Sequence, residues 1–313
     1  MKQPRIFILL LFFLSGLLSA TTAKAEPPKV AVSIRPLYFL VQDLMQDIGQ
    51  PELILSSQQS PHHDQIRPSQ LRNINQADIV FWIGPAMESN LQKPIRNLPK
   101  DIEAYPLISS AGLHILKFSG TGHRHSNHAH PDEHPENIDP HIWLDYQNAI
   151  QMARTITEIL INHDPENKAG YQHNLNWLQK NISEAQAKIQ KELAPLKTTP
   201  VLALHNAWQY FAHRFELQAY QGINADGLEH LGAKSYLRLK RDIEKNKYKC
   251  IIAGPETNYK KAQQLVSDSD AHLILLDPLG NDLPDDAGYE VFMLHISAQL
   301  KRCHTGKSTD RFR

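Results

Sequence analysis

The sequence predicts an α/β protein of two lobes, each a mostly parallel sheet flanked by helices, joined by one long helix. Three observations carry this expectation. Short apolar runs of strand length, such as Val30 to Ile34 and Ile79 to Ile83, alternate with segments whose apolar residues recur at steps of three and four. That alternation marks strands linked by helices, and it restarts past residue 197. Between the two series, Tyr171, Leu175, Leu178, Ile182, Ala185, Ile189 and Leu193 form one unbroken helical stripe.

The chain opens with Lys2 and Arg5, the apolar run IFILLLFFLSGLL, and then Ala23-Lys24-Ala25. This is the pattern of a secretory signal peptide, residues 1–25, cleaved after Ala25. The run is short for a membrane anchor, and no cysteine stands at the cleavage site to carry a lipid. The mature chain of about 290 residues is expected to be soluble in an oxidising, exported compartment, most simply the periplasm. That length allows two lobes with a core each.

The first lobe (26–163) begins with the strand Val30 to Ile34. Leu37, Leu40, Val41, Leu44, Met45 and Ile48 then share a helical face that stops at Gly49. Leu53-Ile54-Leu55 reads as the second strand. A polar turn, Ser60-Pro61-His62-His63-Asp64, follows, and Arg67-Pro68-Ser69 starts a short helix that Ser69 is expected to cap. Ile79 to Ile83 is the third strand, ending at Gly84-Pro85, and Met87 to Leu98 is again helical. Ala149, Ile150, Ala153, Ile156, Thr157 and Leu160 mark the helix that closes the lobe.

The linking helix (164–196) starts at Asp164-Pro165-Glu166, an N-cap with proline at the first helical position, and runs to Pro195. A stripe of barely three heptads that includes the small Ala185 favours a spine between lobes over a coiled-coil dimer seam. A monomer is therefore expected. In the second lobe (197–313), Val201 to Leu204 is a strand with His205 at its carboxyl end, and Ala207 to Phe215 a helix. Cys250 to Ala253 is a strand followed by Gly254-Pro255-Glu256, with a helix from Lys260. His272 to Leu276 is a strand ending at Asp277, and the last helix covers Tyr289 to Leu300.

The two cysteines, Cys250 and Cys303, are in an oxidising compartment most simply a disulfide that ties the last helix to the sheet. A two-cysteine metal site is the competing reading, and their spacing is far from any CxxC pattern. With 33 basic and 33 acidic residues, the charge gives no sign of nucleic acid or an anionic surface as partner.

Seven of the seventeen histidines fall between His114 and Asp145. In this His-rich loop (114–137), the part from Gly120 to Asn137 is polar and lacks an apolar period, as in a mobile loop. Its His123, His125, His128, His130 and His134 read as an auxiliary, weaker metal-binding set. The bland alternative is a solvated low-complexity loop. His141 differs, because Asp139-Pro140-His141-Ile142-Trp143-Leu144-Asp145 sets it against an apolar run expected to be a buried strand edge. It is either a fixed ligand or a satisfied core histidine.

In open α/β sheets, ligands bind beyond the carboxyl ends of strands. The order of elements puts His62 or His63, His205 and Asp277 there, with His141 in a segment entering such an edge. Three neutral imidazoles and a carboxylate complete a four-coordinate zinc site, and so many nitrogen donors favour Zn2+ over Mn2+. Asp139, Asn206 and Glu256 are candidates to hold the rings from behind.

These residues resemble the cluster A-I metal-binding receptors of bacterial ABC importers, and among them the ZnuA-type zinc receptors. The resemblance spans essentially the whole mature chain: Pro61-His62 with Arg67, Pro68 and Ser69; Gly84-Pro85 with Met87-Glu88; the His-rich loop; His141-Ile142-Trp143-Leu144; the spine helix; His205; and Leu276-Asp277-Pro278-Leu279-Gly280. It implies His62 rather than His63, with His141 and His205, as metal ligands. Asp277 falls where manganese-type members supply a carboxylate. The resemblance further implies a Cys250–Cys303 disulfide and lobes of similar topology with little hinge motion. It implies a periplasmic high-affinity receptor that delivers Zn2+ to an inner-membrane ABC permease with its cytoplasmic ATPase. Two departures matter: Pro61 stands where some zinc receptors have an acidic residue, and Gly254 stands where an acidic residue usually precedes the proline. The fourth coordination position is left to Asp277 or water.

The alternatives are a manganese or other divalent-metal receptor of the same family, a zinc-buffering protein or adhesin, and a zinc-dependent hydrolase. The hydrolase lacks support, since there is no HExxH and no evident general base beside the ligands. Because imidazole must be neutral to bind, affinity is expected to fall as pH drops through about 6.5.

Overall fold

The apolar run after Pro28 forms β1 (Val30–Val32), buried on both faces as a central parallel strand must be. This computed structural model describes residues 26–118, 138–223, 227–228 and 231–305. The signal segment 1–25 and the loop histidines His123, His125, His128, His130 and His134 lie outside the described residues. β1 pairs with β2 (Glu52–Leu53) on one side and β3 (Ile79–Trp82) on the other, and β4 (Glu103–Pro106) extends the sheet beyond β3. All three pairings are parallel. The second lobe repeats the plan with β5 (Val201–Ala203), β6 (Tyr220–Gly222), β7 (Cys250–Ala253) and β8 (His272–Leu275). Its order, β6-β5-β7-β8, is the first lobe's order over again, and every pair is parallel. In each sheet the order therefore reverses between the first and third strands of the lobe.

Helices α1 (Arg35–Leu44), α2 (Pro68–Ile74), α3 (Gln92–Arg96) and α4 (Tyr146–His163) belong to the first lobe. α5 (Lys168–Leu193) is the long connector. α6 (Gln209–Arg214), α7 (Ala233–Glu244), α8 (Tyr259–Val266), α9 (Tyr289–Leu300) and the short α10 (Arg302–Thr305) complete the second lobe.

α5 has 26 residues, so it spans roughly 39 Å. Its buried face is the stripe read from sequence, Tyr171 through Leu193, joined by Asn174. That face packs on α1 and α4 of the first lobe and on α9 of the second, which is what a spine does. Asn174 Nδ2 donates to the carbonyls of Leu44 and Gln46 (3.0 and 2.9 Å), satisfying acceptors at the end of α1. One apolar core runs through both lobes and the spine, and a smaller one lies under α7 and α8. The Cys250–Cys303 disulfide joins β7 to α10.

Several expectations need correction. Arg67, not Ser69, is the N-cap of α2, and Gln70 Oε1 accepts from the Arg67 backbone N–H at 2.8 Å. The run Ile142–Leu144 is a 3-10 turn rather than a strand edge, because the preceding Asp139-Pro140-His141 is already curled by side-chain bonds. α1 stops at Leu44, and Asp47 turns the chain at φ 61°. Asp164 caps a 3-10 turn (Pro165–Asn167) that precedes α5. Four elements were absent from the sequence reading: β4, β6, the short α10 and α7, in which only Ile243 is buried.

The two lobes are bonded directly as well as through the spine. Trp143 Nε1 donates to the Pro278 carbonyl (2.8 Å), and the Tyr289 hydroxyl donates to the Trp143 carbonyl (2.6 Å). Arg35 reaches Asp285 and the Leu283 carbonyl, and Asp43 accepts from Tyr289 N–H at the start of α9.

Candidate metal site

The carboxyl edges of the two sheets face a cavity of about 360 Å³ lined by residues of both lobes, among them His62, Met87, His141, His205, Glu256 and Asp277. His62 stands in the turn after β2. That turn is fastened by Ser60 N–H donating to Asp64 (2.7 Å) and by Asn90 donating to the His63 and Asp64 carbonyls. His141 stands just before the 3-10 turn. His205 follows β5, and Glu256 follows β7, so this pair flanks the point where the second sheet's order reverses, the preferred ligand position in such sheets.

The structure brings His62, His141 and His205 together: one ligand atom from each lies within 4.8 Å of the others. His62 Nε2 and His141 Nε2 are 3.4 Å apart. Two nitrogens bound to one tetrahedral zinc at about 2.0–2.1 Å stand roughly 3.3 Å apart, so this spacing fits a shared ion without rearrangement. The buried Nε2 of His205 lacks a hydrogen-bond partner among the described residues. A bare buried acceptor is costly unless something electropositive meets it.

Each of the two deepest rings is set by a carboxylate. Asp139 Oδ1 accepts from the backbone N–H and from Nδ1 of His141 (3.0 and 2.7 Å). Glu256 Oε1 pairs with His205 Nδ1 at 2.8 Å. With Nδ1 as the donor, Nε2 carries the lone pair and points its basicity at the cavity. Burial drives the His62 and His141 pKa values well below 6.5, helped by neighbouring rings: His141 and His205 for His62, and His205 for His141. These imidazoles are therefore held neutral, the form a cation needs.

Of the remaining expected residues, His63 is exposed and lies outside the group, its ring centre 5.8 Å from that of His62. Asp277 lines the same cavity but does not join the three-histidine group. Its two oxygens accept from the backbone N–H groups of Leu279 and Asn281, both at 2.8 Å. Burial raises its carboxyl to about 6. Asp139 and Glu256 hold rings as read from sequence, whereas Asn206 does not: its Oδ1 accepts from the Tyr220 hydroxyl instead. Sequence reasoning missed Tyr210, whose hydroxyl donates to the Asp139 carbonyl (2.9 Å) and so steadies His141 from the other lobe. Its place among the aromatics after His205 was the available signal.

Two equivalent parallel sheets, one connecting helix and a cleft between the sheets' carboxyl edges define the class, a two-lobed solute-binding receptor. The fold is shared with a zinc-bound ZnuA deletion mutant (TM-score 0.74, 20% identity, 91% of this chain and 100% of that one). It is shared also with the binding protein FpvC from Pseudomonas aeruginosa in complex with Mn2+ (TM-score 0.73, 17% identity, 88% and 98%). The family model described as ZnuA, zinc-uptake complex component A, periplasmic, matches residues 30–303, and the chain belongs to that family. Relatives named high-affinity zinc uptake system protein ZnuA include that of Brucella abortus, 30% identical over 97% of this chain and 99% of its own length. That of Yersinia pestis is 26% identical over 92% and 95%.

Proposed function

We propose that this protein captures Zn2+ in the periplasm, in the cleft between its lobes, and hands it to an inner-membrane ABC permease driven by a cytoplasmic ATPase. Zn2+ is its cargo. His62, His141 and His205 are the protein ligands, and the observation that carries the reading is the 3.4 Å approach of two Nε2 atoms beside the buried Nε2 of His205, which has no hydrogen-bond partner among the described residues. Asp277 supplies a nearby negative charge on the cavity wall, and water takes the fourth position. The names of the relatives support zinc as the ion, and so does a donor set of imidazoles rather than oxygens.

The protein reaches the periplasm through a signal peptide cleaved after Ala25 and acts as a monomer. It is a carrier, not an enzyme. A zinc hydrolase needs a base free to take a proton from metal-bound water. The carboxylates around this site instead hold rings, as Asp139 and Glu256 do, or backbone N–H groups, as Asp277 does. The loop histidines His123, His125, His128, His130 and His134 assist capture at low zinc, with lower affinity than the cleft, because ordering a chain segment around an ion costs conformational entropy.

The test is competition with a chromogenic chelator, Zn2+ against Mn2+, for the mature protein and for His205→Ala. One tight zinc site that collapses in the variant is expected. Equal or tighter manganese binding would make the protein a manganese receptor instead. No tight site for either ion would end the transport reading.

A further inference from the structure

A second histidine pair lies outside the cleft, on the seam where the lobes meet. The strand-like stretch from His114 to Lys117 lies along α6 of the other lobe: Leu116 N–H donates to the Tyr210 hydroxyl (2.9 Å), and Gln209 Nε2 donates to the Lys117 carbonyl (2.7 Å). Gln209 and His213, four apart, share one side of that helix, with Tyr210 and Arg214 beside them. Both histidines are thereby set from their backbones. The buried Asn148 clamps His114, accepting from its N–H (2.8 Å) and donating to its carbonyl (2.9 Å). Arg214, next to His213, grips Asp145 through two bonds of 2.7 and 2.6 Å.

The outcome is two exposed imidazoles, one from each lobe, with ring centres 4.8 Å apart and planes inclined by 37°. Neither ring contributes to a core, and the cleft described above uses neither. The Nδ1 atom of His114 is 3.9 Å from Asp145 Oδ2, so that nitrogen is directed to a buried carboxylate and Nε2 is the one left for solvent.

We propose that His114 and His213 form a second divalent-cation site, for Zn2+ or a similar first-row ion, that bridges the lobes at their surface. Two imidazoles on one tetrahedral ion place their ring centres roughly 5 Å apart, given Zn–N distances of about 2.0–2.1 Å. The observed 4.8 Å meets that requirement, and the cleft rings stand at a similar 5.3 to 5.7 Å. Asp145, fixed by Arg214, stands 3.9 Å behind His114, beyond direct hydrogen-bond reach, and contributes negative charge to the site. Water fills the remaining positions. With two exposed protein ligands instead of three, of which two are buried and one half-buried, the site binds more weakly than the cleft and exchanges its ion with solvent.

The site is independent of the cleft reading, and the test separates them. Zinc stoichiometry is measured by equilibrium dialysis for the mature full chain, His114→Gln, His213→Gln and His205→Ala, with zinc-edge anomalous diffraction from crystals of the wild type. Both seam histidines are exposed, so thermal melts of the two Gln variants are expected to match the wild type. Each Gln variant should lose one weakly held zinc and keep the tight one, His205→Ala should lose the tight one and keep the weak one, and an anomalous peak should lie between the two seam rings. The loop histidines contribute equally to all four proteins. No peak at that position, or a stoichiometry unchanged in both Gln variants, overturns the proposal, as does a peak seen in the crystal without any change in dialysis.

Discussion

The same device, a carboxylate behind a cleft histidine, is built twice in this molecule by different means. In the first lobe it is local: Asp139 and His141 are two residues apart, and both side chains are essentially sealed from water. In the second it is assembled across the sheet, from His205 after β5 and Glu256 after β7, with the Glu256 side chain 37% exposed. The electrostatics diverge accordingly. Burial pushes the Asp139 carboxyl up to about 7, against the N–H of His141 and the electrostatic pull of the His205 ring. Burial also pushes on Glu256, but the hydrogen bond from His205 and the electrostatic pull of that ring outweigh it and hold the carboxyl below its ordinary value. A buried pair fixes its ring with little solvent to substitute for a lost partner. A part-exposed pair leaves room for water to do so.

The sharpest break of the comparison is removal of a ligand on either side. On the proposed function, His141→Ala and His205→Ala should each weaken zinc binding by more than about a thousandfold, roughly 4 kcal/mol, measured by chelator competition. If only one of the two mattered, the cleft would be the property of a single lobe. Next in size are the backing carboxylates. Asp139→Asn is expected to cost about a hundredfold in zinc affinity and Glu256→Gln about tenfold, the two ends of the range for such partners. Equal losses would show that burial does not distinguish them.

A smaller effect is expected from pH. The sequence alone places the loss of zinc affinity near pH 6.5. Because burial and neighbouring rings hold His62 and His141 well below that value, protons compete with the ion only in more acidic solution. The affinity measured by calorimetry should change little between pH 8 and 6.5 and fall below it. A steep loss already above pH 6.5 would mean that the rings are more hydrated than the folded geometry allows.

A further pH effect, on stability rather than on binding, concerns the seam between lobes. Burial raises the Asp43 carboxyl to about 7, opposed by the Tyr289 N–H and reinforced by the charge of Glu290. A carboxyl whose folded pKa exceeds its unfolded value of about 3.9 binds its proton more tightly in the fold. Its contribution to stability is full below that unfolded value and is lost as pH rises through about 7. Urea unfolding should thus show a decline of at most about 1.4 kcal/mol per pH unit across that window, and Asp43→Asn should flatten it. An unchanged slope would remove Asp43 from the account.

Sequence legibility follows the same division. The His141 and Asp139 pair could be read because both members sit in one short motif, and the spine could be read because its stripe is continuous and entirely buried. His205 was legible from its place after an apolar strand. Its neighbour Asn206 looked equally fit to back a ring, and only the fold shows its amide turned to Tyr220. The strands β4 and β6 were missed for a simple reason: Glu103-Ala104-Tyr105-Pro106 and Tyr220-Gln221-Gly222 are edge strands without a fully buried residue, and they carry no apolar run. The 3-10 turn at Ile142–Leu144 was misread because its three buried apolar residues look like a strand, while the bonds that curl it come from Asp139.

The bonds that cross from lobe to lobe set a time scale. Trp143 to Pro278, Tyr289 to Trp143 and Arg35 to Asp285 all link the lobes, and two of the participating residues, Trp143 and Pro278, line the cavity. On the proposed function, an ion held between histidines of both lobes is freed when such bonds part together. Spontaneous escape then has the rate of a rare collective opening, however small the ion and however fast its diffusion. A partner that holds the lobes apart lowers that barrier in the way a catalyst does, and so decides where the cargo is unloaded as well as how quickly.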